Sequence, residues 1–298
     1  MNIEEIFKRV IAKGDTVLDV GGHVGNVAWF MTRCVGPDGK VFSFEPHPEL
    51  FKSLQAKAEK YPNLEAVNCA VSNSATPVTL YFGVTEASNQ ASTIRADLVT
   101  TDLLGEEIHS VQVPATTLDQ FCADRKLKPS VIKIDVEGAE PFVLQGAGAV
   151  LDTKPILLFE MGATHVLPDH VAMLRLRGYQ LYFVDMYRFV TEPASWDRIV
   201  SSETRALQGC LFTFTDADAK KLMPFLSNVL AIPPESQPLL AGLRIMPLTD
   251  AAPLFADPKK SLARQIKRTI RRILIPPAVE EHFPGLAAGI RTIARRIL

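Results

Sequence analysis

Seven short apolar runs separated by helix-like segments constrain this chain more than any other feature. They are TVLDV (16–20), KVFSFE (40–45), LEAVNCAV (64–71), SVIKID (130–135), PILLFE (155–160), YQLYFVD (179–185) and CLFTFT (210–215). Each is rich in β-branched or aromatic residues, and several end on an acid or precede Gly or Pro. Near-continuous apolarity, in place of strict alternation, is what strands covered on both faces of a parallel sheet require. Between the runs lie segments such as PELFKSLQAKAEKY (48–61), where Phe51, Leu54 and Ala58 recur at helical spacing. This rhythm predicts an α/β fold, a doubly wound open sheet over residues 1–215 with helices on both faces.

Three segments depart from the rhythm. Residues 76–118 contain TPVTLYF and HSVQVPATTL around a polar middle, which predicts an antiparallel insertion covering an active site. Residues 216–258 are Pro-rich towards their end and predict a linker or a segment packed on the body. Residues 259–298 carry ten Lys/Arg against two Glu, so the net charge of −1 conceals a basic tail on an acidic body. Leu262, Ile266, Ile270, Ile273 and Leu274 share one helical face of that tail, and Leu286, Ile290, Ile293 and Ile297 repeat the stripe after Pro276-Pro277. A basic amphipathic helical tail docks on the body, on a second subunit through self-association, or on an anionic membrane surface as a peripheral contact. Nucleic acid is not favoured, because no aromatic residues interleave with the charges. Widely spaced Cys34, Cys69, Cys122 and Cys210 argue against zinc and against a disulfide framework. With an acidic N-terminus lacking an apolar run, this points to a cytoplasmic protein, in one reading held at the inner face of a membrane.

The chemistry concentrates in three places. In VLDVGGHVGN (17–26) a buried strand ends near Asp19, turns through Gly21, Gly22 and His23, and enters a helix near Gly25 and Asn26. Glycines there let a ligand approach the backbone. The loop lacks the G-x-G-x-x-G dinucleotide spacing, and a strand-end Asp19 would repel a pyrophosphate but suit the sulfonium and ammonium of S-adenosylmethionine. The next strand ends in Glu45, placed to accept from both ribose hydroxyls. The third place is VIKIDVEGAE (131–140), where Asp135 ends a strand and Glu137 and Glu140 follow. Glu140 reads as a helix cap, and Asp135 and Glu137 as functional carboxylates.

The runs DVGGHVGN, FSFEPHP, IKIDVEGAE and PILLFE, in this order, resemble the FkbM-type methyltransferases over residues 14–215. The resemblance implies a class I methyltransferase (Rossmann-like) sheet, S-adenosyl-L-methionine as donor, and O-methylation of a sugar, glycolipid or polyketide-like hydroxyl. By the same analogy Ala70, Val71 and Ser72 lie near the adenine, and His23 stands where such families commonly have another residue. An alcohol needs help to lose its proton, so a base or a metal is expected. The candidates are Asp135, Glu137, Glu160 and His165. Either His165 or Asp135 acts without metal, which is preferred, or Asp135 and Glu160 hold Mg²⁺. An NAD-dependent oxidoreductase and a non-catalytic scaffold remain the alternatives, and N- or C-methylation is not excluded.

Overall fold

The computed structural model describes residues 3–83, 92–99, 107–161, 168–184, 210–215 and 227–247. His165 and the basic tail lie outside the described residues.

The sheet is built outward from its middle. β1 (Thr16–Val20), β2 (Lys40–Phe44) and β3 (Leu64–Val67) run parallel towards one edge. The chain then returns to place β8 (Val131–Ile134) on the other side of β1, followed by β9 (Ile156–Met161). Between these halves come β4 (Ala70–Val71), β5 (Val78–Gly83), β6 (Ile108–Val113) and β7 (Ala115–Thr116). β5 and β6 pair antiparallel and β4 pairs with β7, so the expected insertion is a hairpin with a small parallel bridge at its base. The reversal of direction between β1 and β8 is the switch point at which open α/β sheets leave a crevice beyond the strands' carboxyl ends.

Helices cover the sheet for local reasons. α1 (Ile3–Val10) buries Ile6, Phe7 and Val10, with acids in its first turn and bases in its last, matching the helix dipole. α2 (Asn26–Val35) follows the glycine loop. α3 (Pro48–Ala58) is capped by His47, whose Nδ1 accepts from the backbone N–H groups of Glu49 and Leu50, with Pro48 pre-set for the first turn. α4 (Leu118–Arg125) is capped by Thr117. α5 (Glu140–Gln145), α6 (Gly148–Asp152) and α7 (Pro168–Leu176) complete the set among the described residues. Val17, Leu18, Val131, Ile132 and Leu157 are almost wholly buried, as two-sided coverage of the strands demands.

The structure corrects the sequence reading at two points. The LEAVNCAV run is two strands, because the Cys69 N–H turns back to the Val67 carbonyl and β4 leaves the main sheet. The sheet also does not stop at residue 215. After β10 (Gln180–Val184) and β11 (Cys210–Thr213), residues 227–247 supply β12 (Ser227–Ile232) and β13 (Arg244–Pro247) where a linker or packed segment was expected. β12 inserts antiparallel between β9 and β10, giving the order β13-β11-β10-β12-β9-β8-β1-β2-β3. Its Val229, Leu230, Ala231 and Ile232 are fully buried. Their short apolar run abuts Pro233-Pro234, and the prolines masked the strand signal. The sheet is therefore mixed, parallel from β3 to β9 and antiparallel across β12 and from β10 to β11.

Candidate active site

A cleft opens at the carboxyl ends of β1, β2 and β8, over the switch point. Gly21, His23, Glu45, Ala70, Val71, Asp135 and Glu137, all expected from the sequence, line it. Pro46, Leu50, Leu80 and Ile94 add an apolar wall that sequence reasoning missed, because Leu80 and Ile94 arrive from the insertion.

The loop after β1 is held from below. Gly21 and Gly22 both donate their N–H to the Phe44 carbonyl, at 3.1 and 2.8 Å. Gly21 has φ +83, and a Cβ there would stand 1.8 Å from the Asp135 carbonyl oxygen. Gly25, at φ +79 on the entrance to α2, would bring a Cβ within 2.7 Å of Leu54. These glycines serve close packing of loop on strand and helix. Gly22, Gly25 and Asn26 do not line the cleft, and the Asn26 side chain instead accepts from Lys57 at 2.6 Å. Ser72 is buried behind Val71, and its backbone N–H bonds to Thr116 in the β4–β7 bridge.

Asp19 departs from its expected role. It is fully buried and does not face the cleft. One oxygen accepts from the Ser43 hydroxyl at 2.7 Å, and the other pairs with Lys133 Nζ at 3.3 Å. Ser43, Asp19 and Lys133 occupy one register row across β2, β1 and β8, which is why they meet. Lys133 Nζ also donates to the Gly21 carbonyl at 2.6 Å and pairs with Asp135 at 3.4 Å. Burial opposes the charge on Lys133, but Asp135 and Asp19 more than offset it, so its pKa is raised. The sequence signal was a lysine inside a strand apolar on both sides, where a buried charge must be paired.

Glu45 is almost wholly buried, and its two oxygens accept from the His23 and His47 backbone N–H groups at 2.7 and 2.8 Å. Each oxygen keeps a further lone pair, so the carboxylate can also accept from a diol. Burial pushes Glu45 up to about 7, against the two amide bonds and Lys133, which lower it. A carboxyl raised above its unfolded value of 4.5 stabilises the fold below that pH, and the contribution is lost as pH rises through about 7. The ligand-free protein should thus lose roughly 3 kcal/mol from this group between those limits. Urea titrations at pH 5 and pH 8 check this, with the difference reduced in Glu45→Gln.

Asp135, Glu137 and Glu160 converge from the ends of β8 and β9. One oxygen of each lies within 4.8 Å of the others. Burial raises Glu137 to about 8, with Asp135, Glu160 and Glu140 adding to it, and burial followed by Asp135 raises Glu160 to about 7. Glu140 is buried and accepts from the Val136 N–H at 2.8 Å, so it braces the turn before α5 and does not cap the helix as expected. Such a trio can share protons or surround a divalent cation with oxygen ligands. Glu137 was absent from the expected metal pair; its side chain joins because its backbone turns into the left-handed region.

The sequence matches the Methyltransferase FkbM domain over residues 19–181, more than half of the chain. The chain belongs to the FkbM methyltransferase family. The matched domain is a methyltransferase domain, which goes against the NAD-dependent oxidoreductase alternative. Similar relatives include Methyltransferase 1 of Beauveria bassiana, 28% identical over 145 residues, covering 44% of this chain and 57% of the relative. The hexuronic acid methyltransferase AglP of Haloferax volcanii is 26% identical over 156 residues, covering 50% and 56%. The chain thus spans little more than half the length of these two relatives. A solved FkbM methyltransferase from Methylobacillus flagellatus superposes with a TM-score of 0.39 at 15% identity, covering 60% of this chain and 46% of that one. Among the described residues, no helix is long and apolar enough to cross a membrane.

Proposed function

We propose that this FkbM-family chain transfers a methyl group from S-adenosylmethionine to a hydroxyl oxygen of a sugar or sugar-like acceptor. The observation that carries the reading is the cleft itself, lined by the Glu45 carboxylate, an apolar wall, and Asp135 and Glu137, which Glu160 approaches within 4.8 Å. The sugar class rests on the family resemblance and on the hexuronic acid methyltransferase among its relatives.

The donor fits these residues. Glu45 receives the ribose hydroxyls on its remaining lone pairs, and Ala70, Val71, Leu80 and Ile94 enclose the base. S-adenosylmethionine supplies a methyl on a cationic sulfur, open to in-line attack by an oxygen. The chain's task is to hold that oxygen in line and take its proton. Glu160 and Glu137, with pKa values near neutrality, are poised as bases while Asp135 orients the hydroxyl. A second reading has Asp135, Glu137 and Glu160 hold Mg²⁺, which would lower the acceptor's pKa; their mutual approach within 4.8 Å favours it.

Calorimetric titration with S-adenosylhomocysteine tests the assignment. Wild type should bind, and Glu45→Ala should weaken binding by at least about tenfold, since a charged acceptor is lost and two amides lose their partner. NAD should not bind. Repeating the titration with magnesium and with chelator separates the two arrangements of the carboxylates. Binding of NAD in place of the nucleoside would sink the reading.

A further inference from the structure

Residues 92–95 form a short strap along the wall of the cleft. Thr93 is buried and exchanges both backbone hydrogen bonds with Tyr81 of β5, at 2.8 and 2.9 Å. Its hydroxyl accepts from the Arg95 N–H at 3.1 Å, fixing the bend that follows. Ile94 packs on the cluster of Ala70, Leu80 and Val113, and with Ser92 it lines the cleft. Arg95 fastens the outer end. Its Nη1 donates to the Gly138 carbonyl at 3.0 Å, and its Nε donates to Asp97 at 2.7 Å. The guanidinium lies over the Phe142 ring, 5.6 Å from the centroid.

The carbonyl that Arg95 grips follows directly on Glu137. Glu137 has φ +51 and Gly138 φ +96, two successive residues in the left-handed region. For a residue with a Cβ this costs about 1–2 kcal/mol and persists only where the surroundings impose it. Glu140 holds the turn from inside, through Val136. Arg95 holds it from the insertion, across 43 residues of sequence. Its planar fork meets the Asp97 carboxylate and still has a donor for the carbonyl, which a lysine cannot match.

We propose that Arg95 is a positioning residue, a clasp that joins the insertion to the Glu137–Gly138 turn. Closing the donor-side wall and aiming the Glu137 carboxylate at Asp135 and Glu160 are then a single event. This rests on the methyltransferase reading of the cleft. A donor nucleoside packed against Ser92 and Ile94 tightens the strap, and the strap tightens the turn. Asp97 keeps the guanidinium aimed.

The test combines S-adenosylhomocysteine titration with amide hydrogen exchange over residues 92–95 and 136–140, on wild type, Arg95→Met, Arg95→Lys and Asp97→Asn. In wild type the nucleoside should slow exchange in both segments. Arg95→Met should bind about tenfold more weakly, the size of one charge-assisted hydrogen bond. Its strap should still be protected by the nucleoside while its 136–140 turn is not, an uncoupling that general destabilisation does not produce. Arg95→Lys should restore part of the coupling, and Asp97→Asn should lose part of it. If Arg95→Met does not fold, the last two variants carry the comparison. Wild-type affinity together with normal ligand protection of the turn in the Arg95 variants overturns the clasp alone. Failure of wild type to bind the nucleoside overturns the reading of the cleft and the clasp with it.

Discussion

Lys133→Met is expected to destabilise the protein by about 3–5 kcal/mol, the usual cost of stranding one member of a buried ion pair. The stranded member is Asp19, which is fully buried and would keep only the Ser43 hydroxyl. Asp135 also loses its partner, but its side chain is 45% exposed, so water screens it and the loss there is small. The raised pKa of Lys133 sets the pH window. Its stabilising contribution is full below the ordinary lysine value of about 10.4 and is lost only as pH rises through the folded value. Lys133 also lowers Glu45, Glu137 and Glu160, which titrate at about 7 to 8, so the deficit should be larger at pH 8 than at pH 6. Denaturant titration at both pH values checks this. Asp19→Asn combined with Lys133→Met should recover much of the loss, because neither charge is then left alone. A deficit below about 1 kcal/mol in the single variant would mean that Asp19 finds water or a proton, and that the buried row is not held by charge.

Gly21→Ala is expected to be nearly as damaging to the fold and more damaging to the site. The added Cβ would meet the Asp135 carbonyl oxygen at 1.8 Å, and the backbone is at φ +83. The obstacle is backbone on a central strand end, so it cannot rotate aside. Strain in the left-handed conformation and overpacking together cost roughly 2–5 kcal/mol. The loop can relieve this only by withdrawing from β8, which also breaks the Lys133 bond to the Gly21 carbonyl. Displacement of about 1 Å in a positioned site costs on the order of a hundredfold. S-adenosylhomocysteine affinity should fall by at least that factor even in the fraction that remains folded. Gly14→Ala is the control, since it has a similar φ of +85 but no atom within 4 Å of its Cβ. It should show the backbone strain alone and leave nucleoside binding unchanged.

Much of the site was legible because its residues sit at strand ends, and strand ends can be counted along a chain. TVLDV, KVFSFE and VIKID are apolar runs of the length a doubly covered strand needs, so Glu45 and Asp135 had to emerge at carboxyl ends. The glycines after β1 were legible too, since left-handed backbone and close approach exclude a Cβ. The family resemblance rested on the runs from DVGGHVGN to PILLFE, and the matched residues 19–181 contain all of them.

What the sequence could not say was which neighbour each strand end would have. Asp19 was read as facing a cationic ligand because its strand ended there. Only the register of β2, β1 and β8 shows that Ser43 and Lys133 stand beside it and turn it inward. Glu137 joins Asp135 and Glu160 only because its backbone takes a left-handed turn that no local pattern in VEGAE required of a glutamate. Ile94 reaches the cleft, and Arg95 the Gly138 carbonyl, because the insertion folds back on β5. β12 was hidden for a similar reason, since a strand whose pairing comes from β9 and β10 needs little signal of its own. Periodicity and glycine placement are properties of neighbours along the chain, and they determined the fold class and the glycine loop after β1. Ion pairing, register and backbone strain depend on groups that meet only after folding, and for those the tertiary structure decided.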